Sequence, residues 1–276
     1  MKYREDIKIL GIIGNPLKQS LSPLLHNYWI KKYELNAIYL PLITNEIRCL
    51  DKTLKNFNFL GLNVTIPFKK EVLRYLDKVD KGAKKIKAVN TIVCKNKIIK
   101  GYNTDIFGFS AGIKTELEWN KKRPTIVFGA GGAAEAVLCF LTNSNAKDII
   151  VINRNKNRGE KISKKYKGVK HVKNIDNSLL KEAGLIVNTT SLGMLGYKEL
   201  DIELKGINKE VIIYDIVYNP EMTGLIKKAK KEKLKTISGL SMFLEQAKKS
   251  FKLWFNIDPV IDNKFLIKLK KEIKGK

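Results

Sequence analysis

The amino-acid sequence predicts an α/β protein of two domains, the second of them built on a parallel sheet. Three observations lead to this prediction. The chain has 276 residues, and a typical domain has roughly 150. Short apolar runs alternate with amphipathic stretches along the whole chain, as they do where strands are joined by helices. A glycine-rich turn lies between one apolar run and the helical stretch that follows it.

The first part of the chain is predicted to form three strand–helix units followed by a hairpin. Short apolar runs predict strands at residues 7–13, 37–42 and 61–66. Amphipathic stretches predict helices at residues 23–32, 46–55 and 67–76. Ser22 is the expected N-cap of the first helix, because Pro23 fits the first turn of a helix. Residues 88–94 and 97–101 are expected to pair as the hairpin.

The rest of the chain continues the alternation and closes with helices. A helix over residues 106–119 is expected to lead out of the first domain. Apolar runs then predict strands at residues 125–128, 148–153, 185–188 and 211–215. Further helices are predicted at residues 133–141, 156–166, 240–256 and 263–274. Strands spaced by helices in this way imply parallel βαβ units.

The charge of the chain is strongly positive, but its distribution argues against a nucleic-acid binder. Lys and Arg number 53 and Asp and Glu 27, so the formal net charge is +26. The excess is spread along the chain, and few of the basic residues are arginine, the residue that reads bases and grips phosphate. We therefore expect no nucleic-acid partner. A small anionic substrate is favoured electrostatically.

The cysteines, the histidines and the apolar segments argue against disulfides, a metal site and a membrane span. Cys49, Cys94 and Cys139 are far apart, so neither a disulfide framework nor a metal is predicted. His26 is expected to pack or hydrogen-bond within its helix, and His171 to lie in a basic surface segment. No apolar stretch approaches the ~18 residues of a membrane span, so no membrane partner is expected. The first residues do not resemble a secretory signal, and a reducing, cytoplasmic setting is the expectation.

The glycine-rich turn has the spacing of a dinucleotide-binding motif. Gly129, Gly131 and Ala134 stand in G-x-G-x-x-A spacing directly after the predicted strand 125–128. In such a turn the first glycine permits the sharp bend, and the second lets backbone N–H groups approach a pyrophosphate at the helix N-terminus. An ordinary glycine-rich turn between a strand and a helix is the alternative.

The end of the next strand bears on which dinucleotide would bind. NAD sites usually carry Asp or Glu near this position, whereas here Arg154 and Arg158 stand beside Asn153. Charge-assisted hydrogen bonds to a 2′-phosphate are worth about 1.5–3 kcal/mol each, so two of them favour NADP over NAD by roughly a hundredfold or more. The alternative is a solvated basic start of a helix.

Three polar clusters in the first part of the chain are not typical of a core. Ser20 and Ser22 are spaced to bind a carboxylate before the first helix, although Ser22 also fits a plain N-cap. Lys69 follows a buried strand, and a surface lysine is the alternative there. Asp105 lies on a turn after the hairpin, where it also fits a helix cap.

Together these segments resemble the shikimate dehydrogenase family, NADP-linked enzymes of aromatic amino-acid and chorismate biosynthesis. The matching stretches occur in the family's order and cover nearly the whole chain. They are GNPLKQSLSPLLHN, LNVTIPFKKEV, AVNTIV, GYNTD, GAGGAA, NRNKNR, NTTSLGM, YDIVYNP and GLSMFLEQA. The resemblance implies a substrate-binding domain of residues 1–106 and 239–276, an NADP-binding Rossmann domain of residues 107–238, and an active site in the cleft between them.

The resemblance also implies roles for individual residues. Lys69 and Asp105 match the family's catalytic pair. In the family, a set of polar residues binds the carboxylate and the ring hydroxyls of the substrate. The matching residues here are Ser20, Ser22, Thr65, Asn90, Asp105, Tyr218 and Gln246. Residues that match its two cofactor loops and the positions beside the nicotinamide are Gly129, Ala130, Gly131, Gly132, Ala133, Asn153, Arg154, Asn155, Arg158, Ile216 and Gly239.

The implied reaction reduces the ketone of 3-dehydroshikimate to the hydroxyl of shikimate with NADPH. An ammonium group at Lys69 suits this reaction, because it stabilises the developing negative charge on oxygen and donates the proton. Asp105 would orient Lys69 and a substrate hydroxyl. A monomer or a homodimer is expected.

Three positions depart from the family's pattern without removing a group that the chemistry needs. Gln19 stands where His is common, Asn155 where Thr is frequent, and Ile216 where Met is common. Two rival functions stay open. One is a dehydrogenase that also accepts quinate or an amino analogue, and the other is a basic Rossmann-like protein that binds nucleic acid or acts as a non-catalytic sensor.

Overall fold

The chain divides into two compact units, each with its own sheet. The computed structural model describes residues 6–116 and 119–274. The first unit comprises Met1–Thr104 and Gln246–Ile261, and the second comprises Asp105–Glu245 and Asp262–Lys276. Within the described ranges, every helix is too short or too polar to cross a membrane.

The first unit is built on a six-stranded mixed sheet. Its strands are β1 (Lys8–Gly14), β2 (Ala37–Ile43), β3 (Phe59–Val64), β4 (Lys78–Val79), β5 (Thr91–Lys95) and β6 (Ile98–Tyr102). They lie in the order β2-β1-β3-β5-β6-β4, with β1 parallel to β2 and β3, and β5 antiparallel to β3 and β6. The predicted hairpin is confirmed as β5 and β6. The helices of this part are α1 (Ser22–Lys32), α2 (Leu50–Asn56) and α3 (Lys81–Ile86).

Buried apolar side chains hold the ends of β1 and β3 together. Ile13 lies opposite Val64 in the parallel register, so the segments that follow these strands leave the sheet at the same edge. Both residues belong to a core that also contains Leu54, Leu62, Phe68, Val72, Ile92 and Ile99. Full burial of each such side chain contributes about 1.5–3 kcal/mol. The core therefore fixes the starting points of the two polar motifs that follow β1 and β3.

Residues 67–76 do not form the predicted helix. Turns lead into a 3₁₀-helix at Glu71–Tyr75 instead. The carbonyl of Lys69 accepts a 2.8 Å hydrogen bond from the backbone N–H of Val89, and the N–H of Leu73 bonds to Lys70 rather than to Lys69. Because an α-helix needs the i to i+4 bond, this long-range contact favours the tighter turn.

The second unit is built on a six-stranded parallel sheet. Its strands are β7 (Thr125–Phe128), β8 (Ile149–Ile152), β9 (Val169–Val172), β10 (Leu185–Asn188), β11 (Ile212–Asp215) and β12 (Lys235–Ser238), in the order β12-β11-β10-β7-β8-β9. The chain order reverses between β7 and β10, and ligands of such sheets bind beyond the carboxyl ends of the strands at this point. The edge strands β9 and β12 are missing from the predicted set, because lysines interrupt their apolar pattern.

Helices of the second unit include one that the predicted domain boundaries place elsewhere. They are α4 (Asp105–Glu116), α5 (Gly132–Asn143), α6 (Lys156–Lys165), α7 (Asn177–Glu182), α8 (Gly224–Lys231) and α10 (Asn263–Lys274), while α9 (Gly239–Phe255) contributes residues to both units. Phe265, Leu269 and Ile273 form a buried stripe on α10, and Lys270 pairs with Glu221 at 2.8 Å. These contacts place α10 in the second unit. The assignment of the predicted domains to substrate and cofactor stays a prediction.

Candidate active site

Ser20 and Ser22, the predicted carboxylate ligands, lie next to each other at the start of α1. The backbone N–H of Ser22 lies 3.4 Å from Ser20 Oγ. Ser22 is not the predicted N-cap, because the helix begins one residue earlier and Leu21 occupies the capping position. The Ser22 side chain instead interacts with Tyr39 on β2, where it opposes the rise in the Tyr39 pKa that burial causes. The structure thus brings the two serines together and gives one of them a buried partner.

Thr65 and Lys69 follow β3, beside the loop that follows β1. The N–H of Thr65 donates to the carbonyl of Ile13 at 3.0 Å. A Cβ added to Gly14 would collide with Thr65 Cγ2, so glycine permits this close approach of the two loops. Lys69 is half-buried, and its carbonyl bonds to Val89, the residue before Asn90. The candidate catalytic lysine is therefore tied through its backbone to the segment that carries a candidate substrate ligand.

Asn90 and Gln246, which are far apart in the sequence, come together around Thr104. The N–H of Thr104 donates to Asn90 Oδ1 at 2.8 Å. Because a backbone N–H can only donate, this bond sets the orientation of the Asn90 amide. Thr104 Oγ1 lies 3.0 Å from Asn90 Nδ2 and 3.4 Å from Gln246 Oε1. Asn90 is 4 % and Thr104 2 % exposed, so two predicted ligands share a buried polar contact.

Asp105 and Tyr218 belong to the second unit. Asp105 is the first residue of α4 and is 9 % exposed. The ring of Tyr218 stacks on Phe243 with 4.7 Å between centroids, which orients the ring. Lys69 lies in the first unit, so its pairing with Asp105 stays a prediction.

The glycine-rich turn has the predicted strand–turn–helix context. Gly129 follows β7 with φ +107°, a conformation that favours glycine, and its N–H donates to Ile152 at 2.9 Å. A Cβ added at Gly131 or Gly132 would meet no atom within 4 Å, so open space lies beside the start of α5. Ala130 and Ala133 are half-buried there. Backbone N–H groups and the helix dipole suit this space to a phosphate.

The loop after β8 presents two exposed arginine side chains. Neither Arg154 nor Arg158 pairs with a carboxylate in the described part of the chain. The loop is held by its asparagines, because Asn153 Nδ2 donates to the carbonyl of Asn155 at 2.7 Å. Asn155 Oδ1 accepts from the N–H of Arg158 at 3.0 Å and caps α6. Asn155, which stands where Thr is frequent in the family, is therefore the N-cap of α6.

Ile216 and Gly239, the positions predicted beside the nicotinamide, contact each other. A Cβ added to Gly239 would collide with the backbone of Ile216. Only a residue without a side chain allows α9 to start this close to the strand end. The structure therefore brings these two predicted residues together.

Asp215 is a buried carboxylate that the sequence analysis did not single out. Its side chain accepts hydrogen bonds from Asn188 Nδ2 at 3.0 Å, from the N–H of Val217 at 3.0 Å and from Thr223 Oγ1 at 2.7 Å. Burial raises the pKa of Asp215 to about 6, although these bonds act in the opposite direction. The residue holds the turn that carries Ile216. Its place at the end of the apolar run in YDIVYNP is the signal that would have identified it.

His26 packs in an aromatic cluster, one of the two roles expected for it. Its ring stacks on Tyr39 at 4.5 Å and meets Trp29 edge-on at 5.4 Å. Neither ring nitrogen has a hydrogen-bond partner among the described residues, and burial lowers the pKa of His26 to about 3. His26 is therefore neutral near pH 7. The described residues also contain no group of three or more potential metal ligands.

Comparison with known families covers both units. A model described as the shikimate dehydrogenase substrate binding domain matches residues 12–92. A model described as shikimate / quinate 5-dehydrogenase matches residues 112–241. The chain belongs to the shikimate dehydrogenase family. Its two family segments fall in the first and the second unit respectively.

Individual members of the shikimate dehydrogenase family match over nearly their whole length. The shikimate dehydrogenase (NADP(+)) of Carboxydothermus hydrogenoformans is 38 % identical over 271 residues, which cover 95 % of this chain and 96 % of the relative. The crystal structure of shikimate dehydrogenase from Aquifex aeolicus has a TM-score of 0.85 at 36 % identity and covers 94 % of this chain and 96 % of its own. The Thermus thermophilus enzyme in complex with NADP(H) and shikimate has a TM-score of 0.82 at 29 % identity, with 97 % and 98 % covered.

Proposed function

We propose that this protein catalyses the reversible NADPH-dependent reduction of 3-dehydroshikimate to shikimate, with Lys69 as general acid and base and Asp105 as its partner. The observation that carries the proposal is the convergence of neutral hydrogen-bonding side chains in the first unit of a shikimate dehydrogenase family member. Asn90 and Gln246 come from distant segments and both contact Thr104, while Asn63 connects the Asn90 carbonyl to Tyr39, which interacts with Ser22. Groups of this kind suit a ring acid that bears several hydroxyls.

The second unit has the features that NADP binding requires. The open space at Gly131 and Gly132 suits the pyrophosphate, which backbone N–H groups of the turn would hold. Arg154 and Arg158 would hold the 2′-phosphate, and no carboxylate in their loop repels it. When bound, NADPH supplies the hydride. Ile216 and Gly239 would line the nicotinamide, where the turn held by Asp215 fixes their position.

The substrate would be held by its carboxylate and its hydroxyls. Ser20 and Ser22 are the proposed carboxylate ligands, since they lie together at the start of α1. The proposed ligands of the ring hydroxyls and carboxylate are Thr65, Asn90, Asp105, Tyr218 and Gln246. Several directional bonds of this kind orient the ring before the reaction.

Lys69 moves the proton. As the carbonyl carbon gains the hydride, the electron pair of the C=O bond passes to oxygen, and the Lys69 ammonium donates its proton there. In the reverse direction the neutral amine would accept the hydroxyl proton while the hydride passes from the ring carbon to NADP+. Asp105 would orient the Lys69 ammonium and a neighbouring substrate hydroxyl.

Absorbance of NADPH tests the proposal directly. Purified protein mixed with NADPH and 3-dehydroshikimate is expected to oxidise the cofactor, and mixed with NADP+ and shikimate to reduce it. The absence of both changes would overturn the proposed activity.

Activity on quinate is a second candidate, because one matching family model is described as shikimate / quinate 5-dehydrogenase. Steady-state rates with quinate and NADP+ decide between the two. A kcat/KM for quinate close to that for shikimate would assign the broader substrate range.

A further inference from the structure

A buried serine on α9 lies at the centre of the polar contacts in the first unit. Ser250 is fully buried. Its Oγ lies 2.8 Å from Thr91 Oγ1, 3.2 Å from Thr104 Oγ1 and 3.2 Å from Asn63 Nδ2. The same hydroxyl lies 3.0 Å from the carbonyl of Gln246, one helical turn earlier. We call Asn63, Thr91, Thr104 and Ser250 the hydroxyl cluster.

Each other member of the hydroxyl cluster contacts a proposed substrate ligand. Thr91 Oγ1 donates to Asn90 Oδ1 at 3.0 Å, and Asn63 Nδ2 donates to the Asn90 carbonyl at 3.2 Å. Thr104 touches the side chains of both Asn90 and Gln246. Ser250 stands four residues after Gln246, so the two side chains lie on the same face of α9. The cluster therefore connects β5, which begins directly after Asn90, with α9, which carries Gln246.

The hydrogen-bond partners of the Asn63 and Asn90 side-chain amides allow only one orientation of each amide. Asn63 Nδ2 faces a carbonyl, which can only accept, so Asn63 Oδ1 faces Tyr39, whose hydroxyl donates at 2.7 Å. The backbone N–H of Thr104 likewise fixes the orientation of the Asn90 amide, because it donates to Asn90 Oδ1. The hydroxyls of Thr91 and Thr104 lie between the Asn90 amide and Ser250, whereas the Asn63 amide contacts Ser250 directly. Buried networks of this kind are stable only when their members are satisfied.

We propose that Ser250 is a positioning residue for the substrate site. Its hydroxyl ties α9, and with it Gln246, to Asn63 on β3 and to Thr91, the first residue of β5 and the neighbour of Asn90. The proposal rests on the proposed function, since it takes Gln246 and Asn90 as ligands of shikimate. Without the hydroxyl, Thr91 and Thr104 each lose a buried partner, and the Gln246 amide is no longer held in the orientation that the substrate needs. The net loss of one such bond corresponds to about a five- to tenfold change in affinity.

The test compares Ser250→Ala, Gln246→Ala and the double variant. The Kd of shikimate is measured by calorimetry, and KM and kcat are measured for shikimate and NADP+. Ser250→Ala is expected to raise the Kd and KM of shikimate about five- to tenfold, with kcat and the KM of NADP+ unchanged. In the Gln246→Ala background the same substitution is expected to change the Kd little, because coupled residues are not additive.

Ser163→Ala is the matched control. Ser163 is a partly buried helical serine of α6 whose hydroxyl donates to the carbonyl of Glu160 in its own helix at 3.0 Å. Its loss is expected to leave the Kd of shikimate unchanged. Should Ser250→Ala not fold, Thr91→Val and Thr91→Ser replace it, and shikimate binding is expected to weaken in the first and to recover in the second.

The outcomes separate the two proposals. A wild-type protein that does not bind shikimate overturns the proposed function. A wild type that binds shikimate, with a folded Ser250→Ala variant that binds it equally well, overturns only the positioning role. A full effect of Ser250→Ala in the Gln246→Ala background also overturns it, because Ser250 then does not act through Gln246.

Discussion

The two units of the molecule hold their candidate ligand groups in opposite ways. In the first unit, Ser22 and Asn90 are buried and neutral, and the backbone N–H of Thr104 orients the Asn90 amide. In the second unit, the candidate phosphate ligands are the turn at Gly131 and the exposed Arg154 and Arg158. The hydroxyl groups of a ring are recognised by the direction of their hydrogen bonds, which a buried network can fix. A phosphate is recognised by charge, which an exposed cation provides with less positioning.

The largest expected effect concerns the proton transfer that the first unit would supply. Lys69→Ala is expected to lower kcat at least ~10²-fold, the usual loss for a general acid or base, while the Kd of shikimate changes less. Steady-state kinetics with shikimate and NADP+ measure the loss. The exposed neighbour Lys70 provides the matched variant, Lys70→Ala, which is expected to retain its kcat. A Lys69→Ala enzyme with near-normal kcat would remove Lys69 from the mechanism.

The next effect concerns the charge recognition of the second unit. Replacing both Arg154 and Arg158 by Ala is expected to lower kcat/KM for NADP+ roughly a hundredfold, because two charge-assisted bonds are lost. With NAD+ the rate is expected to be unchanged. Lys161→Ala, an exposed cation further along α6, is the control for net charge. An equal loss with both cofactors would contradict the assignment of the arginines to the 2′-phosphate.

The third effect concerns the stability of the folded protein and comes from the buried carboxylate of Asp215 in the second unit. Burial raises its pKa from 3.8 to about 6 in the folded protein. The folded protein therefore binds more protons than the unfolded chain in this interval, and stability falls as the pH rises. The free energy of unfolding of the wild type, relative to Asp215→Asn, is expected to fall by roughly 2 kcal/mol between about pH 4 and pH 6.

Denaturant unfolding at several pH values measures this difference. Groups other than Asp215 cancel because both proteins contain them. A difference that stays constant with pH would show that the Asp215 pKa is not raised.

The smallest effect concerns a single hydroxyl group in the first unit. Ser20→Ala is expected to raise the KM of shikimate about tenfold, the lower end for a hydrogen bond to a charged group, and to lower kcat less. Ser144→Ala, at the end of α5 in the second unit, is the control. Equal losses in kcat and KM for Ser20→Ala would point to a role in the chemical step rather than in binding the carboxylate.

Local patterns predicted the central strands, the glycine turn and the hairpin, but missed the edge strands β4, β9 and β12 and failed where a distant contact intervened. The Gly129 turn follows from residues within one strand–helix unit. The predicted helix over residues 67–76 was wrong because Val89 engages the Lys69 carbonyl. No role was predicted for Ser250, and the contact of Asn63 with it was missed because the two residues are 187 positions apart. A buried serine or asparagine has no signature until its partners are known.

Periodicity, turn residues and the lack of an acidic residue after β8 are properties of neighbouring positions, so they are readable along the chain. From them the sequence predicted two α/β domains and the family to which the chain belongs. The orientation of the Asn63 and Asn90 side-chain amides, the interaction of Ser22 with Tyr39 and the packing of α10 were decided only by folding. Hydrogen bonds are directional and act over about 3 Å. Their partners come from parts of the chain that only the folded structure brings within that distance.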